Sequence, residues 1–91
     1  MTAYSSGRRF EWEVKKYFED NGFFVVRNPV SRFPDLVCVK RGIVLAVECK
    51  YGSSKLSNRE RVNLLKLNKC FGMTPVLATK KRRGVLKISY L

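Results

Sequence analysis

The stretch from Leu36 to Lys50 leaves the chain little choice of local structure. Leu36 to Lys40 is a short run of strand-forming residues, Ile43 to Lys50 is a longer one, and only Arg41-Gly42 separates them. Two such runs joined by two residues read as a β-hairpin. That turn pairs Lys40 with Ile43 and Val39 with Val44, and the same register carried outward sets Asp35 opposite Glu48. Two carboxylates facing each other across a ladder repel. A divalent cation between them removes the penalty, so the register itself points to a metal site. Strand alternation puts Ile43, Leu45, Val47 and Cys49 on one face and Val44, Ala46, Glu48 and Lys50 on the other. Both faces are largely apolar, so the hairpin is expected to be central in a sheet and covered on both sides.

The elements around the hairpin follow from periodicity and punctuation. Ser5-Ser6-Gly7 suits the start of a helix that runs to about Asp20, where Asn21-Gly22 ends it. Phe10, Val14, Tyr17 and Phe18 recur at helical spacing and are expected to form its buried stripe. A strand is expected from Phe23 to Arg27, followed by a loop with two prolines through Pro34. After a polar loop from Tyr51 to Leu56, Ser57-Asn58-Arg59-Glu60 fits a capping box. The helix it opens runs to about Phe71, with Gly72 beyond. Strands from Pro75 to Thr79 and from Val85 to Tyr90 flank a basic turn at Lys80 to Gly84. The order α-β-β-β-α-β-β describes one α/β domain over residues 1–91, a mixed sheet with helices packed on it.

Charge and composition narrow the function. The chain carries 19 Lys and Arg against 7 Asp and Glu, a net charge of +12 over 91 residues. That balance implies a polyanionic partner, nucleic acid before a membrane surface. The longest apolar run, Ile43 to Val47, is far too short for a membrane span, and no signal sequence opens the chain. The absence of histidine removes every mechanism that uses a His base or ligand and excludes a zinc finger. Cys38, Cys49 and Cys70 are odd in number and lack CxxC spacing, and they are expected as small core residues in a reducing compartment.

Acid, base or metal chemistry therefore rests on carboxylates, lysines and tyrosines. Asp35 and Glu48 on one sheet edge suit Mg²⁺, which keeps several of its own waters. Such an ion lowers the pKa of water and neutralises charge on a phosphoryl group. Lys50, two residues after Glu48, projects on the same side and is placed to orient a water or stabilise a charged transition state. Glu11 borders the buried stripe of the first helix and leans toward the sheet, whereas Glu13 lies off that line and is expected in solvent. Arg8, Arg9, Arg32, Lys55 and Arg59 lie in segments flanking this site, where phosphate contacts would position DNA without reading its bases. Lys80, Lys81, Arg82 and Arg83 form either a solvated turn or a phosphate-gripping finger. Phe10, Tyr17, Phe18, Phe23 and Phe24 are expected in the core. Trp12 falls off the helix stripe and suits a dimer or DNA surface. Leu64, Leu65, Leu67 and Phe71 give the second helix more apolar surface than one face requires, which suits a symmetric interface.

Four segments carry a further resemblance: Gly7-x-x-x-Glu11, Gly22-Phe23-x-Val25-Val26-Arg27, Ser31-x-x-Pro34-Asp35-Leu36 and Val47-Glu48-Cys49-Lys50. Phe71-Gly72 and the run Thr74 to Ala78 extend it. Together they resemble the archaeal Holliday junction resolvases, members of the PD-(D/E)xK nuclease superfamily. The resemblance implies a restriction-endonuclease-like core and a metal-dependent endonuclease of DNA recombination and repair. It also implies a homodimer that makes paired, symmetric nicks across a four-way junction. By position, Asp35 and Glu48 would bind Mg²⁺, with Mn²⁺ able to substitute and the Cys49 backbone carbonyl as a further oxygen. Lys50 would be catalytic, Glu11 an additional acidic ligand acting directly or through water, and Ser31 and Arg27 would stand near the scissile phosphate. Trp12 departs from the basic residue that relatives often carry there, with Arg8 or Arg9 as the replacement, and the chain ends at Leu91 where relatives continue. A cytoplasmic location is expected, in the cell of origin or in a viral host. The competing readings are another nuclease of the superfamily (nicking, repair or restriction-like) and a basic nucleic-acid-binding protein without catalysis.

Overall fold

A computed structural model describes residues 3–29 and 33–91. Helix α1 (Ala3–Asp20) leads into β1 (Phe24–Arg27), β2 (Leu36–Lys40) and β3 (Ile43–Tyr51), and α2 (Asn58–Phe71) precedes β4 (Thr74–Lys80) and β5 (Lys87–Tyr90). This is the expected order. The five strands form one sheet in chain order, β1-β2-β3-β4-β5. The β3–β4 pair is parallel and the others are antiparallel. The parallel pair needs a crossover, and α2 supplies it.

The β2–β3 register pairs Lys40 with Ile43, Val39 with Val44 and Leu36 with Val47. Arg41 (φ 46°) and Gly42 (φ 83°) both adopt positive φ, the backbone that matches the twist of a two-residue hairpin. The second helix is bounded as its sequence implies. Ser57 Oγ accepts from Glu60 N–H at 3.1 Å, Glu60 Oε1 accepts from Ser57 N–H at 2.9 Å, and Gly72 closes the C-terminus at φ 73°.

The core lies between α1 and one face of the sheet. Phe10, Val14 and Phe18 pack on Val25, Leu36, Cys38, Leu45, Val47, Val76 and Ala78, all buried. On the opposite face α2 covers only part of the sheet, contacting β4 and burying Leu64 completely. Phe24, Val26 and Val39, on that face by register, are 71%, 46% and 38% exposed. The hairpin is therefore central, but it is not covered on both sides.

Several local expectations are corrected. The first helix begins at Ala3, so Ser5-Ser6-Gly7 lies within it rather than capping it. Single residues of modest helix propensity cost too little to stop a helix whose later turns are anchored in the core. Tyr17 is exposed, since the three residues Phe10, Val14 and Phe18 already fill the contact with the sheet. Phe24 is exposed because, among the described residues, no element covers β1 on that side, whereas Phe23 packs partly buried against the core. Of the cysteines, Cys38 is buried and Cys49 partly so, but Cys70 is exposed on α2. The last strand is shorter than expected and starts at Lys87. Ser31 and Arg32 lie outside the described residues. Among the described residues, no helix is long and apolar enough to cross a membrane.

Arg41 holds positive φ with a full side chain, a strain of about 1 kcal/mol that Asn tolerates better. Arg41→Asn is expected to raise Tm by about 4 °C in a thermal melt without altering the register.

Candidate metal centre and its cleft

Asp35 and Glu48 stand one step beyond the last β2–β3 pair, Leu36–Val47. There the side chains take over from the backbone ladder. Asp35 N–H donates to Glu48 Oε1 at 3.3 Å, and Cys49 N–H donates to Asp35 Oδ2 at 2.8 Å. Asn28 N–H, donating to the Asp35 carbonyl at 2.9 Å, fastens the same segment to the end of β1. Both acids are buried, at 8% and 5% exposure. Burial pushes the Asp35 carboxyl up, against the hydrogen bond from Cys49. Glu48 is pushed up to about 8, by burial first and by the Asp35 charge second. The pair is thus a preformed, hydrogen-bonded acidic recess that is unfavourable when fully ionised and uncompensated.

Lys50 reaches the recess from the same face of β3. Its Nζ lies 3.7 Å from Glu48 Oε2 and 2.7 Å from Glu60 Oε2. Burial works to lower its pKa, but the Glu60 hydrogen bond and the surrounding carboxylates outweigh it and the pKa is raised, so Lys50 is cationic. Glu60 is held down to about 2: burial opposes this, and the Lys50 hydrogen bond leads the interactions that overcome it.

Glu11 leans toward the sheet as expected, but its partner is Arg27. Arg27 Nε donates to Glu11 Oε1 at 3.0 Å, with both side chains largely shielded. The guanidinium also lies 5.5 Å from the centre of the Trp12 ring, which is otherwise half exposed. Burial and the nearby Asp35 charge push the Glu11 carboxyl up, so it belongs electrostatically to the site. Even so, among the described residues no three of Asp, Glu, Cys or His gather closely enough to form a metal cage. Asp35 and Glu48 come together; Glu11 is set aside on Arg27. Two buried oxygen donors with no soft ligand fit a hard, water-retaining cation better than a closed structural site.

A cleft of about 1390 Å³ opens beside this centre, with Glu11, Cys49 and Lys50 among the residues that line it. Lys55 from the β3–α2 loop and Lys81, Arg82 and Lys87 from the β4–β5 region line it further. Arg8 and Arg9 are exposed on α1, and the Arg8 charge is felt at Glu11. Arg59 is exposed in the first turn of α2, and Arg83 is exposed at the tip of the basic turn. Lys80 is not part of a free finger: its Nζ donates to Glu13 at 2.9 Å, tying the end of β4 to α1 and giving Glu13 a partner it was not expected to have. Two residues escaped the sequence argument. Lys87 lines the cleft because β5 returns beside β4. Glu60 holds Lys50, a role hidden because its place in the capping box already accounted for it.

These shifts set the pH dependence of stability. Glu48 binds its proton more tightly folded, at about 8, than at its ordinary 4.5, so its contribution is present below 4.5 and is lost as pH rises toward 8. Without divalent ions, Glu48→Gln is expected to raise Tm by about 5 °C at the alkaline end, with the gain closing toward acid pH. Thermal melts in chelator across that range check this, and an equal gain at all pH values contradicts the assignment.

The sequence pattern of the family described as "Archaeal holliday junction resolvase (hjc)" matches residues 2–90. The crossover junction endodeoxyribonuclease Hjc of Methanocaldococcus jannaschii is 38% identical over 89 residues, covering 94% of this chain and 67% of that protein. The crystal structure of Hjc from Archaeoglobus fulgidus, described as a Holliday junction resolvase from an archaeal hyperthermophile, superposes with a TM-score of 0.79 at 26% identity over 93% of this chain and 72% of that one. The mixed five-stranded sheet is thus the fold of that structure, and the chain belongs to the archaeal Holliday junction resolvase family.

Proposed function

We propose that the protein is a Mg²⁺-dependent endonuclease that resolves four-way DNA junctions as a homodimer. The observation that carries the reading is the buried Asp35–Glu48 pair with cationic Lys50 beside it, Lys50 also lining a basic cleft. Asp35 and Glu48 would hold the cation, with the Cys49 carbonyl a further oxygen and Glu11 acting through water from its place on Arg27. When bound, the ion supplies Lewis-acid activation of water and neutralisation of phosphoryl charge, with Mn²⁺ as a substitute. The chain's own groups do the rest. Lys50 carries positive charge to the phosphate undergoing hydrolysis, where preorganised charge is most effective. Arg27, held by Glu11 beside Trp12, and Ser31 would act near the scissile phosphate. Lys55, Lys81, Arg82 and Lys87 seat the DNA backbone in the cleft, with Arg8, Arg9, Arg59, Lys80 and Arg83 adding to the molecule's positive field.

The second copy belongs on the uncovered sheet face. Phe24, Val26 and Val39 leave an apolar half-face beside α2, whose Val62, Leu65 and Phe71 are 50%, 47% and 75% exposed. Small domains with this much unpaired apolar surface gain most from a partner. A self-complementary patch gives a two-fold dimer, which matches the two symmetric strands of a junction.

A synthetic four-way junction assayed with and without Mg²⁺ tests the activity. Nicking is expected only with the ion, is abolished in Glu48→Gln, and falls by about 10²–10³ in Lys50→Ala. No nicking by the wild type, or full activity in Glu48→Gln, defeats the reading; equal cleavage of linear duplex would indicate another nuclease of the superfamily. Phe24→Asp is expected to shift the protein to a monomer in sedimentation analysis and to replace paired cuts with isolated nicks. A stable dimer in that variant would place the interface elsewhere.

A further inference from the structure

We infer that Glu60 is a positioning residue for Lys50, so that the N-terminal cap of α2 also sets the geometry of the metal centre. This rests on the nuclease reading above and deepens it. The two carboxylate oxygens of Glu60 have separate tasks. Oε1 accepts from Ser57 N–H at 2.9 Å and completes the capping box, while Oε2 accepts from Lys50 Nζ at 2.7 Å. The Ser57 backbone N–H fixes where the Glu60 carboxylate can be, while the reciprocal bond from Glu60 N–H to Ser57 Oγ at 3.1 Å serves the helix cap. Glu60 thus presents Oε2 from a defined point rather than from a free side chain.

The alternative partner of Lys50 shows what this achieves. Glu48 Oε2 is already 3.7 Å from Nζ. Without the pull of Glu60, the ammonium would settle on the Glu48 carboxylate, the group needed for the cation. A lysine bonded directly to that oxygen competes with a divalent ion for it. Tethered to Glu60 at the shorter distance, Lys50 stays near enough to serve the phosphate without bonding directly to Glu48 Oε2, the oxygen that Asp35 N–H does not occupy.

Two substitutions separate this role from helix capping. In Glu60→Gln the side chain keeps one carbonyl oxygen and gains an NH₂, so it can serve Ser57 N–H or Lys50, but not both. In Ser57→Ala the hydroxyl cap is lost while the backbone N–H that orients Glu60 remains. The readout independent of activity is the Lys50 NH₃⁺ resonance in lysine-labelled protein without metal. It is expected to be slowed in solvent exchange in the wild type and in Ser57→Ala, and to lose that protection in Glu60→Gln. In junction cleavage, Glu60→Gln is expected to lower kcat by about ten-fold, with an increase of similar size in the Mg²⁺ needed for half-maximal rate and little change in KM for DNA. Ser57→Ala is expected to lower Tm and leave both kinetic quantities near wild type. Unchanged protection in Glu60→Gln, or equal kinetic losses in the two variants, overturns the proposal. If no variant, wild type included, nicks DNA, the nuclease reading fails instead, and the resonance still decides whether Glu60 holds Lys50.

Discussion

Two carboxylates held face to face in a poorly solvated recess are the constraint around which this molecule is arranged. Asp35 and Glu48 cannot separate, because a backbone ladder of five residue pairs delivers them to adjacent positions and two hydrogen bonds keep them there. At an effective dielectric typical of such sites, two unit charges a few ångströms apart repel by on the order of 4 kcal/mol. The surroundings are graded to contain this without cancelling it. Lys50 stands at the margin, nearer Glu60 than Glu48, and Arg27 neutralises Glu11 so that a third carboxylate does not add its full charge. A closer lysine would give a more stable protein with a filled site. The uncompensated remainder is what a divalent cation would meet.

The parts of this arrangement legible in the sequence were those governed by short, rigid geometry. A two-residue turn leaves one register, and a period of two leaves no freedom in which side chains share a face, so Asp35, Glu48 and Lys50 could be placed together from spacing alone. The Ser57–Glu60 box was legible for the same reason: cap and reciprocal bond lie within one helical turn. Where a residue's environment depends on what arrives from elsewhere, the pattern was insufficient. Alternation shows that the Phe24–Val39 face is apolar, but not that α2 stops short of it. Helical spacing suggested Tyr17 as a core residue, but not that, of the described α1 residues, Phe10, Val14 and Phe18 alone would be buried in the core. The pairing of Arg27 with Glu11, sixteen positions away, and of Lys80 with Glu13, sixty-seven away, has no periodic signature.

Glu60 illustrates a different obscurity. Its local role explained it fully, so nothing in the pattern asked for another. A capping residue is well suited to a second task, because the helix terminus already removes the rotamer freedom that a lone carboxylate would lose on binding a lysine. The same economy runs through the other acids. The chain has only seven, and four of them are engaged in or beside the Asp35–Glu48 recess: the pair itself, Glu11 on Arg27 and Glu60 on Lys50. The remaining three, Glu13, Glu19 and Asp20, lie on α1 and each pairs with a lysine.

That distribution determines how a charged ligand experiences the molecule. From a distance the net charge of +12 and the lysines of the cleft attract a phosphodiester backbone. Beside the cleft, the buried acids Asp35 and Glu48 oppose that attraction to the extent that they are ionised. A phosphate drawn into the cleft therefore meets a barrier at the last step unless a cation neutralises the pair, and a cation held by only two carboxylates gains from the phosphate oxygens in turn. The two ligands favour each other by the same free energy, whichever arrives first. A site built from more acids would bind the ion alone, and one built from fewer would admit phosphate without it. The pair Asp35–Glu48, with Lys50 restrained at its edge, lies between those limits, so under the proposed function occupancy by metal and by DNA would be coupled through the electrostatics of the recess itself.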